Sequence, residues 1–486
     1  MTERRITVFN EMHRLQFDGK INSLNRFEKI SRITTTQLTP TTTTTNFSLE
    51  QLADKFAGFE YLDVKESFLH IEFDVGAQAT RGVVTLSPCA GIGWCKDYSI
   101  NLNDVNIDNQ RDPVAFWRVI AQFASKEWLD TVGRRAGLFL NKYANDKDIS
   151  IPSVTGSLAT FTVANTATSQ TIVANADGVL TVNNGYFQAM IDGDYELQKW
   201  SDDCIYAASG TMIVGFDVPL SLLSKAFDHT ITGHQYIPCR KLVISGNRET
   251  TNSNLVITRS TGAALDETAS SFKINLNLCY VKPSDVDLSI LKMDTVNYIF
   301  PRYTSDKLSY TSATTQTPSF TLQKVNPVAC FLGVNRKQAS SVDGKTDDFI
   351  FSSDMRLQLI TSITVELDGA PKPYEQHILN NSATFNPATK RYEKAYIEYL
   401  RFIGGNEIAH APITYREFYN AALIPILLQN KQPGDGINFD FGKSSSLKVD
   451  MAITSDTATS VYVITEIVSF ISINYETGEI TVQNVS

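Results

Sequence analysis

The sequence predicts an all-β chain built from two similar antiparallel sandwiches in tandem, with a few short helices inserted. Short segments rich in Val, Ile, Thr, Phe and Tyr recur along the chain between Gly, Asn, Asp and Pro residues, which is typical of antiparallel strands joined by turns. No alternation of strands with helices runs through the chain, so a doubly wound nucleotide-binding fold is not expected. One pattern occurs twice, as "KDYSINLNDVNI" at residues 96–107 and "TSITVELDGAPKPY" at residues 361–374, and each copy predicts a strand that ends in a turn.

The length and composition agree with two such sandwiches. A chain of 486 residues with 42% hydrophobic residues can form two cores, since sandwiches run to about 200–250 residues each. The net charge of −9 argues against a body that wraps nucleic acid. No window of about 18 apolar residues occurs, so no membrane span is predicted. The first residues carry charges of both signs and lack the apolar run of a signal peptide.

Strands are predicted in both halves. In the first half, "SFLHIEFDV" (67–75) alternates apolar and polar residues in the manner of a half-buried strand. The segment "NADGVLTVNNG" (175–185) contains the turn dipeptides Asp177-Gly178 and Asn184-Gly185, which predict a hairpin. The second half continues with apolar runs such as "VACFLGVN" (328–335) and "SVYVITEIVSFISINY" (460–475).

Each half also carries one capped helix soon after the repeated strand. The helices begin at Asp112-Pro113 and at Asn386-Pro387, where the polar side chain caps the helix and proline takes the first helical position. Their apolar faces are Phe116, Val119, Ile120 and Phe123 in the first helix and Tyr392, Tyr396, Tyr399 and Leu400 in the second, which ends at Gly404. Two shorter helical stretches are predicted at residues 218–227 and 413–424.

The chain is predicted to divide into an N-terminal arm (1–49), a first sandwich (50–292), a second sandwich (293–478) and a C-terminal tail (479–486). The arm has seven Arg or Lys and four Asp or Glu, and its Thr-rich end, "TTTQLTPTTTTTNF", favours extended backbone. Its two interpretations are an arm held by a neighbouring molecule and a frayed terminus. Arg4, Arg5 and Arg14 are candidates for a weak, salt-sensitive contact with nucleic acid.

No catalytic, metal or cofactor site is predicted, and we expect the chain not to be an enzyme. Neither a nucleophile elbow nor a phosphate-binding loop occurs. His229 and His234 lack the further ligands that zinc requires, and the alternating acids Asp192, Asp194 and Glu196 lack those of a calcium loop. The six cysteines are scattered, which predicts buried thiols in a reducing compartment rather than disulfides or metal ligands.

The order of five segments resembles a known family. They are "DYSINLNDVNID" with the helix around Phe116–Trp128, and residues 218–260, 274–303, 321–373 and 422–453. In this order the chain resembles the double jelly-roll major capsid proteins of eukaryotic DNA viruses, in particular those of the polinton, adintovirus and virophage lineage. The likeness covers about residues 55–475.

The resemblance implies a fold of two tandem eight-stranded antiparallel jelly rolls. It also implies a structural protein that forms a pseudo-hexagonal homotrimeric capsomer, and capsomers that tile an icosahedral shell around a DNA genome. The implied partners are neighbouring capsomers and the penton and minor capsid proteins, in a virion assembled inside the host cell. On this interpretation the arm reaches a neighbouring subunit or a minor capsid protein.

Two other functions remain open from the residues themselves. A secreted or surface β-sandwich that serves in binding or adhesion would carry a signal peptide and disulfides. A β-rich enzyme such as a glycoside hydrolase would need two carboxylates facing each other across a cleft.

Overall fold

The computed structural model describes a large part of the chain. The described residues are 27–41, 43–52, 61–74, 84–86, 89–138, 159–164, 169–174, 180–182, 205–206, 213–232, 234–250, 256–258, 272–283, 295–310, 315–336, 360–372, 377–378, 393–403, 418, 423–428, 444–454 and 459–483.

The strands of the first half all lie before residue 284. They are β1 (Phe27–Thr34), β2 (Asn46–Leu52), β3 (Tyr61–Asp74), β4 (Val84–Leu86), β5 (Cys95–Leu102), β6 (Val105–Gln110), β7 (Ala159–Ala164), β8 (Ser169–Ala174), β9 (Leu180–Val182), β10 (Ile205–Tyr206), β11 (Ile213–Pro219), β12 (Tyr236–Pro238), β13 (Lys241–Arg248), β14 (Val256–Thr258) and β15 (Lys273–Pro283).

The strands of the second half follow, and the helices are few. The strands are β16 (Thr295–Tyr310), β17 (Thr315–Gln316), β18 (Ser319–Val325), β19 (Pro327–Arg336), β20 (Ile360–Leu367), β21 (Ala370–Pro371), β22 (His377–Ile378), β23 (Ile424–Leu427), β24 (Ser444–Thr454), β25 (Thr459–Asn474) and β26 (Ile480–Gln483). The α-helices are α1 (Pro113–Phe123), α2 (Lys126–Trp128), α3 (Leu220–Leu223), α4 (His229–Thr232) and α5 (Glu393–Ile403), with a π-helical turn at Leu129–Gly133 and a 3₁₀ turn at Lys225–Phe227.

Two sheets of the first half form a jelly roll. One sheet has the order β1-β15-β3-β11 and the other has the order β2-β13-β5-β6. We call the eight strands of these two sheets the main strands and count them in chain order. One sheet then contains the first, eighth, third and sixth main strands, and the other contains the second, seventh, fourth and fifth. Two interlocked Greek keys produce this order, and all of these pairs are antiparallel.

The second half has the same strand order. Its sheets run β16-β25-β19-β23 and, through the pairing of β18 with β24, β18-β24-β20-β21. The main strands again occur as first, eighth, third, sixth and second, seventh, fourth, fifth. We call the two units jelly roll 1 and jelly roll 2. In each, a helix lies between the fifth and sixth main strands, α1 in one and α5 in the other.

The two repeated sequence stretches are equivalent hairpins of the two jelly rolls. The turn between β5 and β6 contains Asn103 (φ 49°) and Asp104 (φ 64°), and the turn between β20 and β21 contains Asp368 (φ 51°) and Gly369 (φ 78°). Two consecutive positive φ angles are those of the type I′ hairpin turn, which favours Asn, Asp and Gly. The prediction that Asp368-Gly369 is a turn is therefore confirmed.

Helix α1 begins as the sequence predicts. Asp112 is its N-cap and accepts a hydrogen bond from the backbone N–H of Ala115 at 3.3 Å, and Pro113 is the first helical residue. The predicted start of the second capped helix at Asn386-Pro387 lies outside the described residues, within which α5 begins at Glu393. The first predicted short helix is α3 with the 3₁₀ turn after it; of the second, only Phe418 is described as helical, and Ile424 begins β23.

The predicted arm extends too far along the chain. Residues 27–34 form β1, which pairs with β15, and residues 46–52 form β2, which pairs with β13, so both are main strands of jelly roll 1. The Thr-rich stretch connects these two strands. Leu38 forms an isolated bridge with Ile274, and the N–H of Thr44 bonds the hydroxyl of Thr41 at 2.8 Å. Likewise the predicted tail contains β26, which pairs with β25.

Candidate functional site: the junction between the jelly rolls

The two jelly rolls meet along a buried junction. Jelly roll 1 contributes β6, α1 and the segment after β11, and jelly roll 2 contributes the sheet β16-β25-β19-β23. Side chains of that sheet divide between two cores: Ala329 and Phe331 pack in the core that contains jelly roll 1, whereas Cys330 and Leu332 pack in the core of jelly roll 2. Because successive side chains of a strand point to opposite faces, β19 is covered on both faces.

Aromatic rings fill the junction around the end of α1. The ring of Phe123 lies 4.8 Å from that of Phe402, 5.3 Å from that of Phe331 and 5.5 Å from that of Tyr399, measured between centroids. The ring of Phe116, two turns earlier on the same helix, stacks on Tyr303 at 5.1 Å. Aromatic pairs at these separations attract one another beyond the area they bury. The helix of jelly roll 1 thus packs against strands and helix of jelly roll 2.

Gln122 fastens α1 to the chain before β23. Its side-chain N–H donates to the carbonyl of Leu423 at 2.7 Å, and the backbone N–H of Leu423 donates to its side-chain oxygen at 2.6 Å. The hydroxyl of Tyr399 on α5 donates to the backbone carbonyl of Gln122 at 3.1 Å. Since Gln122 is buried, these bonds replace water and fix the position of α1 relative to jelly roll 2.

A buried ion pair joins the same two units deeper in the junction. The guanidinium of Arg302 on β16 donates to the carboxylate of Asp108 on β6 at 2.9 Å, with the two side chains 4% and 1% exposed. The other carboxylate oxygen of Asp108 accepts from the hydroxyl of Ser224 at 2.6 Å. A charge this deeply buried is tolerated because it is paired and hydrogen-bonded.

The C-terminal turn of jelly roll 2 contacts jelly roll 1 directly. The side-chain amide of Asn103 donates to the carbonyl of Gly478 at 2.8 Å and to that of Pro238 at 3.1 Å. The hydroxyl of Tyr475 donates to the carbonyl of Tyr236 at 2.6 Å. One of the two repeated turns therefore also serves as a contact between the jelly rolls.

An open cleft of about 1030 Å³ lies along the junction. Its apolar wall includes Ile120, Trp128 and Phe402, and Lys225 forms an ion pair with Asp228 there at 2.9 Å. Burial would raise the pKa of Asp228, but the charge of Lys225 and hydrogen bonds from Lys225 and Thr230 hold that pKa below its usual range. This ion pair neutralises two of the charged side chains that line the cleft.

The sequence-predicted candidate residues do not gather at this junction. Arg4, Arg5 and Arg14 lie outside the described residues, as do Asp192, Asp194 and Glu196. His229 lines the cleft and His234 is buried beside Tyr298, 5.7 Å between rings. Within the described ranges no group of three or more His, Cys, Asp or Glu is placed to hold a metal ion.

Five cysteines are described, and all five are free and buried, as the sequence predicts for them: Cys89, Cys95, Cys239, Cys279 and Cys330. Burial raises the pKa of the Cys239 thiol to about 12, so it stays protonated and unreactive at neutral pH. Cys204 lies outside the described residues. In the part of the chain that the structure covers, no helix has the length and apolar character needed to cross a membrane.

The sequence did not identify Asp108, Gln122 or Arg302 as junction residues. Each is a single polar residue within or beside an apolar element, and its partner lies at least 190 positions away along the chain. The one available signal was a charged residue in a strand otherwise expected to be half buried, and such residues usually face water.

No protein-family model matches the chain, and no curated protein sequence matches it. Solved structures do match. A chain in the cryo-EM structure of the Sputnik virophage aligns with a TM-score of 0.54 at 10% identity, over 95% of this chain and 89% of that one. The mavirus major capsid protein aligns with a TM-score of 0.49 at 10% identity, over 94% and 90% of the two chains. The PBCV-1 virus capsid gives 0.48 at 11% identity, over 93% and 96%.

The likeness to the Sputnik virophage chain extends over nearly all of both chains and shows a shared fold. Together with the strand order of the two halves, it confirms the predicted fold class, which is all-β with two tandem antiparallel eight-stranded jelly rolls and a few short helices. The chain has the double jelly-roll fold.

Proposed function

We propose that the chain is a major capsid protein that assembles as a homotrimer with a pseudo-hexagonal outline. Many such capsomers would tile an icosahedral shell around a DNA genome. The observation that carries this proposal is that two jelly rolls of one strand order pack against each other through unlike surfaces. Jelly roll 1 uses the side that carries α1, and jelly roll 2 uses the face of its sheet β16-β25-β19-β23.

Packing through unlike surfaces is head-to-tail, and it leaves one unused surface of each kind on the chain. Repeated head-to-tail contacts form a closed ring when the rotation between units closes, and otherwise they form a filament. Three chains supply six jelly rolls of one fold, so a threefold assembly presents six similar sides to its neighbours. A protein with that outline can tile a shell in which each capsomer has six neighbours.

The buried junction also favours a structural role. Asp108 with Arg302 and Gln122 with Leu423 hold the two jelly rolls in one relative orientation. A fixed orientation within each chain is needed if three chains are to close into one ring. The shared fold with a chain of the Sputnik virophage supports the same proposal.

The finer parts of the proposal concern partners and the N-terminus. Residues 1–26 would reach a neighbouring subunit or a minor capsid protein, and Arg4, Arg5 and Arg14 would contact the genome weakly. Neighbouring capsomers and penton proteins would complete the shell of the virion, assembled inside the host cell. We propose no enzymatic activity. The alternative, a secreted β-sandwich with disulfides, gains no support from the five described cysteines, which are free.

The test is the assembly state of the full-length protein after expression. We expect light scattering to give three times the 54.0 kDa mass of the chain and negative-stain images to show pseudo-hexagonal rings or shells. A stable monomer at high concentration would contradict the proposal. A truncated chain that lacks residues 1–26 keeps β1, so we expect it to form trimers but no shells. Normal particles from the truncated chain would remove the proposed role of the N-terminus.

A further inference from the structure

The outward face of the jelly roll 1 sheet β1-β15-β3-β11 is only partly covered within the chain. Tyr61 and Val281 on this face are buried, whereas the outward residues of its edge strand β1 and of the part of β3 that pairs with β11 are exposed or partly exposed. Ile30 on its edge strand is 59% exposed, and it is the one large hydrophobic side chain found exposed among the described residues. Arg32, on the same face of β1, is 77% exposed at its side chain. An exposed apolar residue on an edge strand favours contact with another chain, because the outer row of backbone N–H and C=O groups of that strand is also available for hydrogen bonding.

Most of the partly exposed side chains on this face are polar, and the charged ones form ion pairs with their neighbours. Arg32 pairs with Glu66 at 3.3 Å, and Lys273 pairs with Glu72 at 2.8 Å. On β11, Asp217 binds His70 at 2.8 Å and Arg135 at 3.1 Å, and Arg135 in turn lies over the ring of Phe68. The face therefore carries little net charge, which suits a surface that is soluble in the free chain and later covered.

The equivalent face of jelly roll 2 is already covered within the chain. Ile30 of β1 is in register, through β15, with the first residue of β3. Arg302 of β16 is in register, through β25, with the first residue of β19, so Ile30 and Arg302 are at the same level of their sheets. Arg302 is 4% exposed because Asp108 binds it, and the neighbouring Tyr303 is stacked by Phe116 of α1. The edge-strand position that jelly roll 1 covers on jelly roll 2 is thus exposed on jelly roll 1. Deeper in the same sheet, at the same level, Val281 and Tyr61 are buried, and Tyr61 stacks on Tyr475 of jelly roll 2.

The covering helix has an equivalent in jelly roll 2, and that helix uses Tyr399 and Phe402 in its ring contacts with α1. Helices α1 and α5 have eleven residues each and lie between the same main strands. In α1 the fourth, eighth and eleventh residues, Phe116, Ile120 and Phe123, lie against jelly roll 2 or line the cleft beside it. In α5 the same three positions are Tyr396, Leu400 and Ile403, and all three are apolar or aromatic and only partly buried.

We infer that the open face of jelly roll 1 binds the α5 side of jelly roll 2 from a second copy of this chain. This inference rests on the proposed trimer and names the two surfaces that form its subunit contact. Tyr396, Leu400 and Ile403 of one copy lie over the β1 edge of the next, in the way that Phe116 stacks on Tyr303 of β16 within one chain. Glu66 connects the two contacts, since it bonds Arg32 on the open face and also lines the junction cleft.

The first experiment compares Ile30→Lys with Thr321→Lys. Both changes add a lysine to an exposed position of an edge strand, but Thr321 lies on β18, away from the proposed contact. Because burying an unpaired charge is costly, we expect Ile30→Lys to weaken trimers by roughly tenfold or more in dissociation constant, measured by light scattering over a dilution series. We expect Thr321→Lys to associate like the wild type, and both to melt like it.

The outcomes separate this inference from the proposed function. A trimeric wild type whose Ile30→Lys variant is equally trimeric overturns the inference and leaves the capsid proposal standing. A monomeric wild type overturns the capsid proposal itself. If Thr321→Lys also dissociates, the effect is one of added charge, and the inference is again overturned.

A mixing experiment tests the head-to-tail character of the contact. Ile30→Lys leaves a copy with an intact α5 side, and Ile403→Lys leaves a copy with an intact β1 face. At concentrations where the dilution series shows Ile30→Lys dissociated, each variant alone should be monomeric, whereas an equal mixture should contain dimers with one intact contact and no closed trimers. Trimers in the mixture, or no association in it, would overturn the pairing of these two surfaces.

Discussion

The sheets β1-β15-β3-β11 and β16-β25-β19-β23 have the same strand order but different outward faces. In jelly roll 2, Tyr462 and Ile464 of β25 are buried against the core that contains jelly roll 1. In jelly roll 1, the matching strand β15 carries Lys273, Asn275 and Asn277 on its outward face, and all three are partly exposed. Both strands bury their inward residues, so the difference lies in the outward face, and there in the part of β15 that precedes the buried Cys279 and Val281.

This difference indicates that the residues on an outward face reflect when that face is covered. A sheet that is sealed as soon as the chain folds can be apolar on both faces, and β25 accordingly has an unbroken run of buried residues from Ser460 to Ser469. A sheet that waits for a second molecule must remain soluble until then, so its outward face keeps polar residues and paired charges. The following predictions test whether the covered and the open face differ in energy as they do in composition.

The largest expected effect is the loss of the buried ion pair on the covered face. Arg302→Met leaves the carboxylate of Asp108 buried without its cation, and we expect the free energy of unfolding to fall by about 3–5 kcal/mol. Urea denaturation followed by fluorescence measures this change. The equivalent substitution on the open face, Arg32→Met, should leave the denaturation midpoint close to that of the wild type, since Arg32 is exposed.

A double variant controls for the loss of the arginine itself. Asp108→Asn with Arg302→Met removes both charges, and it should recover a large part of the stability lost in Arg302→Met, because no unpaired charge remains buried. If the double variant is as unstable as Arg302→Met, the loss is one of packing and the ion pair does not explain the rigidity of the junction.

The next effect compares the two helices. Phe123→Ala removes a ring that contacts Phe331, Tyr399 and Phe402, and we expect a loss of about 3 kcal/mol. Ile403→Ala, at the equivalent position of α5, should cost about 1 kcal/mol, because its side chain is only partly buried in the single chain. Both are measured in the Ile30→Lys background, so that association does not contribute. Equal losses would contradict the claim that the α5 side is uncovered.

The two repeated turns should also differ in their contribution. Asn103→Ala removes a residue that tolerates the left-handed backbone conformation, together with the amide that donates to Gly478. We expect the free energy of unfolding to fall by about 2 kcal/mol. Asp368→Ala removes the same backbone preference, but the bond that its carboxylate accepts from the N–H of Ser446 lies within jelly roll 2, so about 1 kcal/mol is expected. Thermal melting of both variants measures the difference. Asp368→Gly should leave the melting temperature nearly unchanged, because glycine tolerates positive φ.

The sequence predicts the fold from features that are local in the chain. The turns at Asn103-Asp104 and Asp368-Gly369 and the cap at Asp112 depend on residues within a few positions, and the structure confirms each of them. The extent of the N-terminal arm was predicted wrongly because β1 pairs with β15 about 250 positions later, and only that pairing shows that residues 27–34 belong to a sheet.

The junction could not be predicted because its residues gain their roles from distant partners. The stretch 460–469 was predicted as a strand, but its consecutive apolar residues Val461 to Ile464 were not interpreted as burial on both faces. That feature was the one local sign that a second unit covers the sheet. Ile30 gave no sign at all, since a single apolar residue in a polar stretch is ordinary at a protein surface.

The smallest expected effect distinguishes paired charges in the junction from paired charges on the open face. The folded-state pKa of Asp228 lies below its unfolded-state pKa. At a pH above the unfolded-state pKa, the Asp228–Lys225 pair therefore stabilises the fold fully, and this stabilisation is lost as the pH falls through the folded-state pKa. Asp228→Asn should therefore lower stability by about 1 kcal/mol at neutral pH and make the loss of stability in acid less steep. Glu66→Gln, which breaks the exposed pair with Arg32, should leave both quantities unchanged. Urea titrations between pH 7 and about pH 3 measure the two slopes. Equal acid slopes for the wild type and Asp228→Asn would mean that this pair adds nothing to the covered face beyond what the open face already has.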